Sequence, residues 1–220
     1  MESSLKISVV VTAYNEEKYI GRCLRSLLNQ TFPPDAYEII VVDDCSDDRT
    51  AYALSQFARA IRVMTNEANL GLPASINLGL RAARGEYVIR VDADDFVNTH
   101  FLQFLHYYLE SNNQEDAVAC DYLCINDDED VLSRENCFDR PIGCGIMFRL
   151  ADILSVGLYD EGFHLREDEE FRIRFEKKFK ISRLNLPLYR YRQHAGNMSS
   201  NNGEMDRFAK MLKTKHGLLD

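Results

Sequence analysis

Gly85-Glu86-Tyr87-Val88-Ile89-Arg90-Val91-Asp92-Ala93-Asp94-Asp95 is the stretch that decides the fold. Helical spacing from Pro73 to Arg84 stops at Gly85, a short apolar strand follows from Tyr87 to Val91, and the strand ends in a burst of carboxylates. Helix, turn, apolar strand and polar strand end make up the repeating unit of an open α/β sheet, whose ligands bind beyond the carboxyl ends of the strands.

The unit recurs upstream. Lys6 to Thr12 is a β-branched run, and Asn15 to Asn29 has helical spacing through Ile20, Leu24, Leu27 and Leu28. A break at Phe32-Pro33-Pro34-Asp35 leads into a second strand, Tyr37 to Val42, that stops at Asp43-Asp44. A helix over Thr50 to Ala60, a short strand over Ile61 to Met64 and a turn over Asn66 to Gly71 complete β-α-β-α-β-α-β. That alternation predicts an α/β, Rossmann-like, mostly parallel central sheet with helices on both faces and right-handed crossovers.

Downstream the pattern loosens into a helix near Thr99 to Ser111, a strand near Ala117 to Cys124 and an acidic loop over Asp127 to Asp130. A Gly-bearing stretch from Pro141 to Arg149 precedes helical spacing over Asp168 to Lys178, a strand over Leu184 to Arg192 and a polar loop over Gly196 to Gly203. The chain ends in an amphipathic helix over Asp206 to Leu219, which would either dock on the body or lie against a membrane surface. The expected organisation is one domain over 1–203, with halves 1–98 and 99–203, and a terminal helix over 204–220.

With 220 residues, 45% hydrophobic and 28% charged, the chain can bury a sizeable core, which excludes disorder and disulfide miniproteins. A net charge of -9 without strong basic clusters disfavours broad nucleic-acid binding, and an anionic small substrate would need a metal or a local basic patch. The apolar run Ile7 to Val11 is too short for a signal peptide or a membrane span. Six cysteines without framework spacing fit free thiols, hence a cytoplasmic location. Cys120 and Cys124 have neither a second CxxC nor a nearby His pair to complete a zinc site.

Each strand end is polar in the same sense: Thr12, Tyr14, Asn15 and Glu16, then Asp43 and Asp44, then Asp92, Asp94 and Asp95. Carboxylates this close repel unless a cation sits among them. Period-two alternation points Asp92 and Asp94 the same way, so two hard oxygen ligands can face one Mg2+ or Mn2+ ion; the bland alternative is a solvated turn capping the next helix. Asp44 could accept hydrogen bonds from a base or ribose, or merely cap a turn. Glu16 and the run Glu167-Asp168 could equally be acids at helix N-termini. Arg190, Arg192 and His194 share one face of the last strand, a local basic patch in an acidic protein.

At this point the chain resembles glycosyltransferase family 2, with the nucleotide-sugar-binding GT-A fold. The matching stretches are VVVTAYNEEKYIGRCLRSLLNQTF, EIIVVDDCSDD, NEANLGLPASINLGLRAARGEYVIRVDADD, GLYDEGFHLREDEEFRIRF and YRYRQHAGNMS, in the family's order from Ile7 to about Ser200. The RVDADD nucleus is similar to members that build capsular, cell-wall or lipopolysaccharide-type glycans.

The resemblance implies that Thr12, Tyr14 and Glu16 line the nucleobase pocket, that Asp44 hydrogen-bonds the base, and that Asn69, Asp92 and Asp95 belong to the donor site. It implies Asp94 as the metal ligand, with His194 near the diphosphate and the metal, and Asp168 as the catalytic base. The implied activity is an inverting, metal-dependent transfer, with Mn2+ or Mg2+, from a nucleotide sugar, a UDP-sugar foremost, to a saccharide or lipid-linked saccharide. One departure stands out: many members have Arg where Ile76 precedes Asn77, leaving Arg90 as the nearest replacement. A nucleotidyltransferase would need a Gly-rich loop that Thr12 to Glu17 lacks, and a haloacid-dehalogenase phosphatase would need Thr or Val where Phe96 stands. A non-catalytic nucleotide- or sugar-binding module on the same fold is the alternative from another class.

Overall fold

Ile7–Ala13 (β1) is buried along its whole length, as a strand must be when helices cover both faces of its sheet. It pairs in parallel with Tyr37–Asp43 (β2) on one side and Tyr87–Asp92 (β4) on the other, and Arg62–Thr65 (β3) adds in parallel beyond β2. Between them run the helices Ile20–Leu28 (α1), Thr50–Ser55 (α2) and Leu72–Ala82 (α3). The β1 side chains alternate between two cores: Val9 and Val11 pack with Ile20, Leu24 and Leu27 of α1, while Val10 packs with Ile76 and Leu80 of α3.

This computed structural model describes residues 5–194 and 202–218. The second half adds Phe96–Val97 (β5), Ala117–Ile125 (β6), Val131–Glu135 (β7), Ile146–Arg149 (β8) and Ile181–Arg192 (β9). Its helices are Phe101–Ser111 (α4), Leu150–Val156 (α5), Glu167–Glu176 (α6) and Asn202–His216 (α7). The strands join one sheet in the order β3-β2-β1-β4-β8-β6-β9-β5, with β7 paired to β6. The first four strands are parallel throughout; β8 then runs antiparallel to both β4 and β6, and the sheet returns to a parallel pair at β6 and β9.

Three details differ from the sequence reading. The first helix begins at Ile20 rather than Asn15, because Asn15 is left-handed (φ 58°) and residues 16–19 form a turn in which the Tyr19 and Ile20 N–H groups donate to the Glu16 carbonyl. α2 ends at Ser55, five residues short of Ala60. β8 forms at the end of the Gly-bearing stretch, and β7 and α5 form over residues 131–135 and 150–156, to which the sequence assigns no element.

The terminal helix docks on the body. Phe208 and Leu212 of α7 are buried with Phe163, against Leu165 and Ile173. Lys215 reaches Asp160 and the buried Glu170, both at 2.6 Å. The expected polar loop at Gly196 to Gly203 lies, up to residue 201, outside the described residues. Among the described residues no helix is long and apolar enough to cross a membrane.

Candidate active site

Thr12 lies level with Val42 on one side and Asp92 on the other, so β1, β2 and β4 end together. Beyond those ends opens a cavity of about 510 Å³, within the range of roughly 300–1,000 Å³ usual for small-molecule sites. Thr12, Tyr14, Glu16, Asp44 and Asn69 line it, as do Asp92, Asp94 and His194. Asp168 faces it from α6.

Asp44 extends β2 by donating its N–H to the Ala13 carbonyl (2.8 Å). Its Oδ1 accepts from Asn66 Nδ2 (2.7 Å) and the Leu70 N–H (2.9 Å), and its Oδ2 accepts from the Gly71 N–H (2.8 Å). A carboxylate has about four acceptor directions, so one remains for a donor from outside. Asn69 Oδ1 also accepts from the Gly71 N–H, at 3.1 Å. The 66–71 loop is therefore shaped by the two side chains that the resemblance places in the donor site.

The carboxylate cluster is electrostatically tense. Burial, with Asp94, Asp92 and Asp48 nearby, pushes Glu16 up to about 8. Burial and then Asp92 raise Asp94, against the pull of His194, whose Nε2 lies 3.0 Å from Asp94 Oδ2. Hard carboxylate oxygens with one imidazole nitrogen suit Mn2+ or Mg2+, and a cation relieves this repulsion, so the residues present fit such an ion. The atoms of Asp92, Asp95 and Cys144 also lie within 4.8 Å of one another. There, however, both Asp95 oxygens are taken up by Tyr189 and the Arg192 N–H, and a thiol suits Mg2+ or Mn2+ poorly, so the harder Asp92, Asp94 and His194 set fits such an ion better.

Asp95 is the candidate that does not reach the cavity. It is 1% exposed; its Oδ2 accepts from the Tyr189 hydroxyl (2.7 Å) and its Oδ1 from the Arg192 N–H (2.7 Å). The Tyr189 hydroxyl in turn accepts from the Asp92 N–H (3.1 Å), so Asp95 pins the acidic turn to β9. Of the expected basic face of β9, His194 lines the cavity, whereas Arg190 and Arg192 do not. Arg192 is 2% exposed, with Nε donating to the Asp94 carbonyl and Nη1 to the Asn126 and Asp127 carbonyls.

Arg90, the nearest replacement for the arginine missing at Ile76, lines the cavity but is already engaged on two sides. Its Nε donates to Asp92 Oδ1 (2.7 Å) and its Nη1 to Glu167 Oε1 (3.1 Å), bridging Asp92 to α6. Burial and Asp168 push Glu167 up to about 7 even though Arg90 pulls it down. Gly143 closes this junction: a Cβ there would lie 2.7 Å from Asp168 Cβ and 3.2 Å from Arg90 Nη1. A second contact that the sequence did not disclose is Tyr19, whose hydroxyl donates to Asp127 Oδ1 (2.7 Å) while its ring stands 5.0 Å from the His194 ring. Arg90 left a signal, a charge inside a β-branched run; Tyr19 left none.

The family model for "Glycosyl transferase family 2" matches residues 8–181. The chain belongs to that family. An uncharacterized glycosyltransferase of Haemophilus influenzae is 29% identical over 98% of this chain and 74% of that protein. The poly(ribitol-phosphate) beta-N-acetylglucosaminyltransferase TarS of Staphylococcus aureus is 36% identical over 50% of this chain but only 20% of its own length. The crystal structure of TarS 1–349 in complex with UDP-GlcNAc superposes with a TM-score of 0.81 at 25% identity, covering 98% of this chain and 68% of that one. The Pyrobaculum calidifontis mannosyltransferase PcManGT, solved with GDP-Man and Mn2+, shares the fold at a TM-score of 0.72 and 20% identity, over 94% of this chain and 61% of that one. As a family 2 glycosyltransferase, the chain brings its acidic strand ends and the first residues of α6, Glu167 and Asp168, to one cavity.

Proposed function

We propose that this glycosyltransferase moves a sugar from a UDP-sugar to a hydroxyl of a cell-surface glycan or polyol-phosphate acceptor, inverting the anomeric centre. The observation that carries the reading is that Asp92 and Asp94 of the donor half and Asp168 of the other half line the same cavity. TarS, solved with UDP-GlcNAc and named for transfer to poly(ribitol-phosphate), supports the nucleotide and the acceptor class. The six free cysteines suit a reducing compartment, where the transfer would take place.

In this reading Thr12, Tyr14 and Glu16 enclose the base, Asp44 takes its remaining hydrogen bond from the base, and Asn69 and Asp92 border the ribose and sugar. Asp94, with Asp92 and His194 beside it, would hold Mn2+ or Mg2+, which when bound neutralises charge on the diphosphate. Asp168 accepts the proton of the acceptor hydroxyl as its oxygen bonds to the anomeric carbon and the bond to the diphosphate breaks. The leaving group departs as an anion and needs no protonation, unlike that of a glycosidase. One displacement therefore suffices.

Thermal stability measured against UDP, GDP, CDP and dTDP and their sugars, with and without Mn2+, tests this reading, because a ligand that binds only the folded state raises the midpoint. The expected result is a Mn2+-dependent rise with UDP that Asp94→Ala abolishes. A rise with no nucleotide overturns the reading. Binding without any release of UDP from UDP-sugars, even with glycan acceptors, supports the non-catalytic module instead.

A further inference from the structure

Arg166 stands immediately before the Glu167-Asp168 pair and lines the same cavity. Its backbone is left-handed (φ 61°, ψ 24°), a conformation that costs a side-chain-bearing residue on the order of 1–3 kcal/mol and gathers at ligand contacts. Its guanidinium offers five N–H donors in a planar fork. Among the described residues its one ion-pair partner is Glu169, with Nη2 3.5 Å from Oε1, and its Nε is buried with no hydrogen-bond partner at all. Buried donors are rarely left unmatched; with Nε unmatched and a single long ion pair, the guanidinium is short of acceptors among the described residues, and its side chain lines the cavity where an acceptor from outside the chain could meet it.

The surroundings narrow what that atom belongs to. Glu167, Asp168 and Glu169 make the adjoining wall acidic, and Arg90, the other guanidinium lining the cavity, already spends its Nε on Asp92 and its Nη1 on Glu167. The carboxylates assigned to the donor diphosphate belong to β4 and its following turn, whereas Arg166 caps the helix that carries the proposed base. We infer that Arg166 is the anion contact on the acceptor side, and that the acceptor bears an oxyanion, phosphate or carboxylate, close to the hydroxyl that attacks. The inference rests on the transferase reading above. A planar fork binds either oxyanion through paired hydrogen bonds, and its position beside Asp168 brings a neighbouring hydroxyl toward the base.

The test is calorimetric titration of the UDP- and Mn2+-saturated protein with glycerol 3-phosphate, glycerate and glycerol, in wild type, Arg166→Gln and Arg166→Lys. At least one anion is expected to bind wild type tenfold or more tightly than glycerol; the two anions compared separate phosphate from carboxylate. The preference should vanish in Arg166→Gln and partly return in Arg166→Lys, with UDP affinity within twofold throughout. An anion preference that survives Arg166→Gln, or no preference in wild type, overturns the inference. A tenfold loss of UDP affinity in Arg166→Gln also overturns it, by assigning the guanidinium to the donor diphosphate. Failure of wild type to bind UDP sinks the transferase reading rather than this contact, and the same three probes are then compared on the unliganded protein.

Discussion

Glu16 lies at the crossing of burial and three neighbouring carboxylates, and its pKa of about 8 exceeds the ordinary value of 4.5. The folded protein therefore keeps a proton that the unfolded chain releases, so this group's favourable contribution is full below pH 4.5 and is lost as pH rises through about 8. Glu16→Gln should flatten the fall of Tm between pH 5 and pH 8 relative to wild type; parallel Tm profiles would contradict the shift. Asp168→Asn should leave UDP affinity unchanged while transfer, followed as UDP release, drops about 10²-fold or more. Near-normal turnover in that variant would remove Asp168 from the role of base. The sequence pattern put Asp92 and Asp94 on one side, and both do line the cavity, although only Asp92 belongs to β4 and Asp94 sits in the turn that follows it. Nothing in the sequence shows that the next residue, Asp95, is turned inward to meet Tyr189 and the Arg192 N–H.

At the scale of elements, the first half was readable because the runs of β1, β2 and β4 are long and apolar enough to be buried strands, with helical patterns between them that also mark the short, exposed β3. β8 has only four residues, Ile146–Arg149, and its antiparallel partners β4 and β6 are distant in sequence, so local pattern did not announce it. The start of α1 was misplaced because the turn at residues 15–19 is held by groups from elsewhere: Ser46 Oγ accepts from the Asn15 N–H and Thr50 Oγ1 from the Glu16 N–H. The packing of α3 on β1 depends on Gly79, where a Cβ would lie 2.4 Å from Val10 Cγ1. Gly79→Ala should destabilise the protein by about 1–3 kcal/mol through overpacking, read as a lower denaturant midpoint at constant m. A midpoint unchanged from wild type would mean that the helix shifts at no cost.

At the scale of the whole molecule, α7 closes over Phe163, and its Lys215 and His216 approach the buried Glu170, which is also held by Arg174. Of the two readings open for this helix, the structure displays docking on the body. Phe208→Ala should cost about 3–5 kcal/mol, as deletion of a buried aromatic does, measured by chemical denaturation. Flotation with liposomes is expected to be the same for wild type and for Phe208→Ala, since that ring already faces the body; ring-dependent flotation would restore the membrane reading.

The bonds from β9 to the 92–95 turn also set an order of events during synthesis. The donor half emerges from the ribosome first, with its apolar strands and helices able to associate locally. The partners of Asp95, Tyr189 and the Arg192 N–H, follow about a hundred residues later. Until then a carboxyl that ends almost fully enclosed has no protein donor, and its turn must stay wet. A nascent chain halted before Tyr189 therefore carries eight of the nine strands yet leaves its acidic turn open to water, and the turn closes only when the end of the last strand is in place.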